Sequence, residues 1–495
     1  MMPRKNRISI LMAAFLAAAC HGPAQQQPLR VVMVDDSGPA PLDRALRAAT
    51  TEGLVSLDEE GKVVPGLAER WIVADEGRGY IFRLRDSAWP DGTKLSGETA
   101  RQALRRAIAA QKGRALGEDL SVIEDIRAMA GRVIEIRLAQ PMPNFLQLLA
   151  QPELGLEHRG QGAGPMRRKH VEGLDWLTPI SPDARGLPMP EGWAATVRPL
   201  SIRAMGGEKA VAQLLAGQVD VVLGGRITDL PPIQRGLLGQ RGARFDVAPG
   251  LFGLMVEKES GFLAVQPNRA ALAMVIDRAG LVNALGMQAG GIPGWSPTTR
   301  LISPGIGEVQ LPERWSDMDM DHRRAVAVER VAVWRKAREA TVRPEDGDGL
   351  ELRIAMPGGA GANVLFTRLA QDVAAIGLRL RRVGMSESAD LRLIDEVARY
   401  PSPVWFFNQL HCGVHPVCTP NVDHLAAQTW DVEPSLAPAL YAEAEREVLE
   451  ANLFIPLALP VRWTMLGKGG ANGLRGLVSN AYGVHPLFPL ADAAR

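Results

Sequence analysis

Residues 69–95 read ERWIVADEGRGYIFRLRDSAWPDGTKL, and the order of elements in this stretch governs the reading of everything around it. Tyr80, Phe82 and Leu84 alternate with Ile81, Arg83 and Arg85, the period-two pattern of a strand with one buried face. Glu76-Gly77-Arg78-Gly79 ahead of it has turn chemistry, and Trp89-Pro90-Asp91-Gly92 behind it is a second turn. Ser96 then caps a predicted helix in which Leu104 and Ile108 share a face and Glu98 complements the dipole of the first turn. RVIEIRL (132–138) alternates in the same way and is expected to pair with YIFRLR (80–85). With no nucleophile, metal cluster or phosphate loop nearby, the stretch reads as scaffold.

Outward from it, the chain is long for one hydrophobic core: 495 residues imply two or three lobes, and 46% apolar with 22% charged residues is ordinary globular composition. Basic and acidic residues number 56 and 55, which leaves no electrostatic footprint for nucleic acid. Arg4, Lys5 and Arg7 precede an apolar run from Ile8 to Ala19, ending in Ala17-Ala18-Ala19, as in a signal peptide over residues 1–20. LAAAC places Cys20 in a lipobox-like context, so lipidation of Cys20 is expected, with ordinary signal cleavage nearby as the alternative. The protein is therefore expected to be extracytoplasmic, either in the periplasm or held to a membrane only by an N-terminal lipid.

In an oxidising compartment Cys412 and Cys418, six residues apart in LHCGVHPVC, are expected to form a disulfide. A metal set of His411, Cys412, His415 and Cys418 is the sharper alternative, though its spacing is not that of a common zinc site. LRVVMV (29–34) reads as a strand, and Leu42, Leu46 and Ala49 as one face of a helix before a turn at Asp58–Gly61. LRIAMPGGAGANVLFTRLAQDVAAIGLRLRRV (352–383) reads as strand, glycine-rich loop, helix and strand. It lacks the third glycine of a dinucleotide fingerprint and carries Arg379, Arg381 and Arg382 where an acidic residue is needed. Gly358–Gly361 is then a tight turn opening a helix through Leu365, Leu369, Val373 and Ile376. G-x-S-x-G, H-E-x-x-H and EF-hand patterns are missing from the chain, and no cofactor is expected.

TTEGLVSLDEEGKVVPGLAERWIVADEGRGYIFRLRDSAWPDGTKLSGETA (50–100) resembles the N-terminal segment of the family 5 extracellular solute-binding proteins, the peptide-, nickel- and opine-type receptors of ABC importers. GAGP (162–165), AVAQLLAGQVDVVLGG (210–225), NRAALAMVIDRAGLVNALG (268–286) and LYAEAEREVLEANLFIPLALPVRW (440–463) resemble further family segments in the family's order. The apolar residues of these stretches fall on single helical faces and are core, while Asp220 and Asp277 are expected in caps or surface pairs. The resemblance implies an α/β fold of the two-lobed periplasmic-binding-protein type, class II-like, with an additional small inserted domain. Lobe I would take 28–56, 159–261 and 463–495, the insertion 57–158 and lobe II 262–462.

At DEVARYPSPVWFFNQL (395–410) the chain departs from the peptide-receptor pattern, because Arg399 stands where an acidic residue pairs with the ligand's ammonium. Arg399 in the cleft would select carboxylate or phosphate; otherwise it faces solvent or pairs with Asp395 or Glu396. Arg399, Tyr400, Trp405, Phe406 and Asn408, with Glu52 of the Glu-Gly-Leu turn, are the expected ligand contacts. The resemblance implies a monomeric, non-catalytic receptor that takes a peptide-like or other small polar solute and delivers it to permease subunits in the inner membrane. A periplasmic sensor or chaperone-like binder on the same scaffold is the alternative, and an exported enzyme a third reading.

Overall fold

The structure is a computed structural model and describes residues 27–36, 38, 40–58, 61–231, 243–288, 291–307, 311–340, 349–433 and 435–467. The signal segment and Cys20 lie outside the described residues, as do residues 468–495.

Tyr80, Phe82 and Leu84 point into a core, as the alternation requires, and Tyr80 and Phe82 face Ile136 and Ile134 across an antiparallel ladder. Arg85 does not continue the exposed face. It is buried and donates to Glu52 at 2.6 Å and to the Gly66 carbonyl at 3.0 Å, because a partner from the preceding turn is there to take its charge. The strands Ala68–Ala74, Gly79–Leu84, Val133–Leu138 and Ile123–Ala128 form one antiparallel four-stranded sheet in that order. Trp89-Pro90-Asp91-Gly92 closes a turn in which Gly92 adopts φ +82°, a backbone state that favours glycine. The turn seats the Trp89 indole in the core, where it donates to Thr99 Oγ1 at 3.0 Å. Ser96 and Thr99 then make a reciprocal capping box that starts the helix Gly97–Ala109.

Two larger sheets flank this unit. The first has seven strands in the order Met166–Val171, Leu174–Pro179, Leu200–Met205, Leu29–Val34, Val221–Arg226, Val461–Leu466 and Arg244–Val247. Its Leu29–Val34 runs parallel to both neighbours. The second has five strands in the order Arg379–Val383, Glu351–Ala355, Leu391–Val397, Gly250–Val256 and Phe454–Ala458.

The chain crosses between these sheets twice, and the crossings touch: Ala248 N–H donates to the Pro460 carbonyl at 2.9 Å. Strand Gly250–Val256 already belongs to the five-stranded sheet, and Val461–Leu466 already to the seven-stranded one. The crossings therefore lie at 248–249 and 459–460, ahead of the 261/262 and 462/463 boundaries expected from sequence. An apolar run carries no mark of which distant strand it pairs with. Gly250 needs to be glycine: its φ is +151°, and a Cβ there would stand 2.1 Å from the Glu396 carbonyl oxygen.

One apolar core continues from the small sheet (Phe82, Ile134, Phe145) into Leu251, Met255, Tyr400, Trp405 and Phe406 beside the five-stranded sheet. The inserted unit is thus fastened to that side by packing, whereas its link to the seven-stranded sheet is largely ionic, as described next.

Candidate functional site

Where the three units meet, a cleft of two compartments opens. The wider, about 530 Å³, is lined by the helix Ala40–Thr50 through Asp43, Arg44 and Arg47, by Gly224, Arg226 and Arg462 of the seven-stranded sheet, and by Glu396 and Val397. The narrower, about 360 Å³, lies between the inserted unit and the five-stranded sheet and is walled by Leu116, Leu251, Met255, Ile394, Trp405 and Leu410. Arg114, Glu153, Glu396 and Arg399 border both and form a waist between them. Each volume falls within the ~300–1,000 Å³ usual for small-molecule sites.

The segment Gln151-Pro152-Glu153 is the node of this cleft. From one side Arg44 Nη2 donates to Gln151 Oε1 at 2.9 Å, and Arg47 donates to the Pro152 and Gly155 carbonyls and pairs with Glu157 at 2.9 Å. From the other, Arg399 Nη1 donates to Glu153 Oε1 at 2.9 Å and reaches Gln151 Oε1 at 3.4 Å. Burial works to raise the Glu153 carboxyl, but the charges of Arg44 and Arg399 outweigh it and hold the group at about 2. Burial lowers Arg44 to about 10 against the opposing charge of Glu153. Burial also disfavours the Arg399 charge, yet Glu153 more than offsets this, and its pKa is raised.

Arg399 is thus paired with Glu153, not with Asp395 or Glu396. Asp395 is taken by the opposite sheet: Arg462 Nη1 donates to its Oδ1 at 2.7 Å, and Arg226 Nη1 to its carbonyl at 3.0 Å. Only one corner of the Arg399 fork is used by a carboxylate. Its Nε and Nη2 make no hydrogen bond to a described residue, and the side chain keeps 22% of its surface open where it borders the cleft. Arg114 and Glu396 are exposed at the waist and have no ion pair among the described residues.

Of the other expected contacts, Trp405 borders the narrow compartment, and its buried indole N–H has no acceptor among the described residues. Tyr400, Phe406, Asn408 and Glu52 border neither compartment. Tyr400 is buried and donates to Asp119 Oδ1 at 2.7 Å, and Asn408 donates to the same oxygen at 2.8 Å. Burial lifts the Asp119 carboxyl to about 6 against these two hydrogen bonds. Phe406 packs edge-on to Trp405 in the core, and Glu52 holds Arg85 and Arg185. Their types suited a ligand, but the sequence held no sign of the distant groups that claim them. Sequence reasoning missed Arg44, Arg114, Glu153, Arg226, Glu396 and Arg462. For two of these a signal existed, since Arg226 closes the apolar strand VVLGGR and Arg462 lies inside the fully buried strand VRWTML, where an unpaired charge is costly.

Cys412 and Cys418 are joined by a disulfide with Cα atoms 5.2 Å apart, which removes both thiolates from the metal alternative. Asp220 forms a surface pair with Arg30 at 2.7 Å, and Asp277 Oδ1 accepts the Gly280 N–H at a helix start. Among the described residues no helix is long and apolar enough to cross a membrane.

The model of the bacterial extracellular solute-binding proteins, family 5 Middle, matches residues 62–179, the inserted unit and its exit into the seven-stranded sheet. That match covers about a quarter of the chain. The probable deoxycholate-binding periplasmic protein YgiS of Escherichia coli K12 is 35% identical over 125 residues, 21% of this chain and 23% of that protein. That match spans about a quarter of the relative's length. Haemophilus influenzae OppA, solved in complex with RPPGFSPFR, superposes with a TM-score of 0.76 at 17% identity, covering 94% of this chain and 99% of that one. The Escherichia coli murein tripeptide binding protein MppA gives 0.76 at 17% identity over 93% and 99% of the two chains. The MppA form described as unliganded and open gives 0.56 at 18% identity, with 93% and 98% covered. The arrangement of units here is thus nearer to the former MppA structure than to the open one.

Proposed function

We propose that this protein is a member of family 5 and an extracytoplasmic receptor that encloses a small solute in the cleft and presents the closed form to an ABC permease. The seven-stranded sheet with its helices serves as lobe I, the five-stranded sheet as lobe II and residues 57–158 as the insertion. The observation that carries the reading is the cleft itself: a space of small-molecule size at the junction of all three units, bridged by polar contacts such as Arg462–Asp395 and Arg399–Glu153. The paired crossings at 248–249 and 459–460 form a two-strand hinge about which the lobes part and close. Relatives described as binding deoxycholate, peptides and nickel support a receptor role. Export through residues 1–20 and a lipid on Cys20 belong to the same proposal, as does a monomeric state. Arg399 contacts the solute; no covalent chemistry is involved. Native mass spectrometry of the protein purified from its own cells tests the reading. A small molecule carried at one per chain and released on denaturation is expected. A bare chain that takes up nothing from a cell extract overturns it.

A further inference from the structure

Six arginines border the wide compartment, Arg44, Arg47, Arg114, Arg226, Arg399 and Arg462, and among the described residues no leucine, isoleucine, methionine or aromatic side chain does. Three of the six are held by the protein: Arg44 by Gln151 and Glu153, Arg47 by Glu157 and two backbone carbonyls, Arg462 by Asp395. The other three keep donors to give. The Arg399 and Arg226 side chains each bond to described residues through Nη1 alone, and the Arg114 guanidinium has no partner among them. Nε and Nη2 lie along one edge of a guanidinium, an edge that meets both oxygens of a carboxylate or phosphate. Arg226 ends a strand of the seven-stranded sheet and Arg399 follows one of the five-stranded sheet, so the two free edges belong to opposite walls of one space. Burial disfavours the Arg226 charge, yet Asp395, Glu396 and Asp229 more than offset this, and its pKa is raised. The carboxylates of the cleft have less to offer a cation. Glu153 is shared by Arg44 and Arg399, Glu396 lies near enough to Arg44, Arg226 and Arg399 to help hold their charges, and Asp43 is exposed one helical turn from Arg47.

The apolar side chains around the narrow compartment are already spent on the protein's own core: Leu116, Leu251, Met255, Trp405 and Leu410 are all buried. Arg114, Glu396, Arg399, Gln409 and His415 are more open there. A solute body in this space meets donors and acceptors side by side, since Arg114 only donates, Glu396 only accepts and Gln409 does either. Hydroxyl groups suit such a border, because each can donate or accept. Resting on the receptor reading, we propose that the cleft takes a hydroxylated organic acid that carries no cationic group. Its carboxylate or phosphate lies between Arg226 and Arg399, and its polyol body runs along the waist past Arg114 into the narrow compartment. A zwitterionic peptide has a place for its carboxylate, but its ammonium finds only carboxylates that arginines already claim. A fatty acid finds no open apolar wall. A neutral polyol leaves both guanidinium edges without an anion.

The test is calorimetry on the full mature chain with probes that share one polyol chain and differ in charge: gluconate, sorbitol 6-phosphate, sorbitol and N-methylglucamine. Octanoate and trialanine complete the set, one with the charge and no hydroxyls, the other with both charges. At least one of the two polyol acids is expected to bind one per chain, about tenfold or more tighter than each of the other four probes. Gluconate ahead of sorbitol 6-phosphate makes the head a carboxylate, and the reverse order makes it a phosphate; either order supports the inference. Arg226→Gln and Arg399→Gln are each expected to weaken the bound acid about tenfold or more by removing a desolvated charge contact. Because these changes also take a donor from Asp395 or Glu153, Arg114→Gln is the third variant. Arg114 has no side-chain partner to lose among the described residues, and its replacement is expected to weaken the acid about two- to fivefold without lowering the melting temperature. Sorbitol, N-methylglucamine, octanoate or trialanine binding as tightly as the acids overturns the inference, as does acid binding untouched by all three variants. So does failure of both acids to bind. If such a failure comes with a co-purified solute of another kind, the receptor reading stands and only the ligand class falls. If no extract fraction binds either, both fall.

Discussion

Residues 79–109 and residues 391–409 are built alike: a strand, a turn and a helix capped by serine, Ser96 in one and Ser402 in the other. Their polar partners lie at very different distances along the chain. In the first, Trp89 finds Thr99 ten residues on, and Ser96 finds Thr99 three residues on. In the second, Arg399 finds Glu153 across 246 residues, while Tyr400 and Asn408 find Asp119 across 281 and 289. Apart from Arg85, which reaches back to Glu52, and Tyr80, whose hydroxyl donates to the Met142 carbonyl, the first stretch finds these partners nearby and serves as scaffold. The second is satisfied only when the inserted unit docks on the five-stranded sheet, so docking and the shape of the cleft are one event.

The largest effect is expected at the scaffold. Phe82→Ala removes a fully buried ring from the small sheet and should cost about 3–5 kcal/mol in denaturant unfolding. Solute affinity measured where the variant is still folded should hardly change. A large loss of affinity with intact folding would erase the division between the two stretches.

At the docked stretch the expected effect is smaller and depends on pH. The Asp119 carboxyl sits at about 6 in the folded protein, above its ordinary value of 3.8. Its protonated form is the one folding favours, so this contribution is complete below about pH 4 and is lost as pH rises through 6. Asp119→Asn keeps an acceptor for Tyr400 and Asn408 and removes the ionisation. Its stability relative to the parent should therefore improve by about 2–3 kcal/mol between pH 4 and pH 7.5. An offset that stays flat over that window would show that Asp119 is not ionised at the cost of folding.

Ser96→Ala should cost about 1 kcal/mol, the ordinary loss of a helix cap, and leave solute binding alone. A loss well beyond that would mean that this cap also holds the docking surface.

The same contrast explains what could be read from the residues in advance. The alternation of Tyr80, Phe82 and Leu84, the turn at Trp89–Gly92 and the Ser96 cap are local devices, and each appears where its pattern puts it. Arg85 broke the alternation because Glu52 waits for it 33 residues back. For Arg399 the residues alone leave open a place in the cleft, a solvated position or a pair with Asp395 or Glu396, and the partner that it does have, Glu153, is too far along the chain for sequence proximity to suggest. Tyr400 and Asn408 look like ligand contacts until Asp119 is placed beside them. Arg114 and Glu396, both exposed and set in ordinary surroundings, gain meaning only from the cavity that they border.

Small-angle X-ray scattering of the mature protein, stripped of solute by denaturation and refolded, and then recombined with the solute recovered from it, tests closure of the cleft most directly. The radius of gyration should be larger in the stripped protein and should fall to a limiting value at one solute per chain, as two lobes close about the crossings at 248–249 and 459–460. Stoichiometric binding with an unchanged radius would contradict closure, and with it the reading of the cleft as the mouth of a receptor.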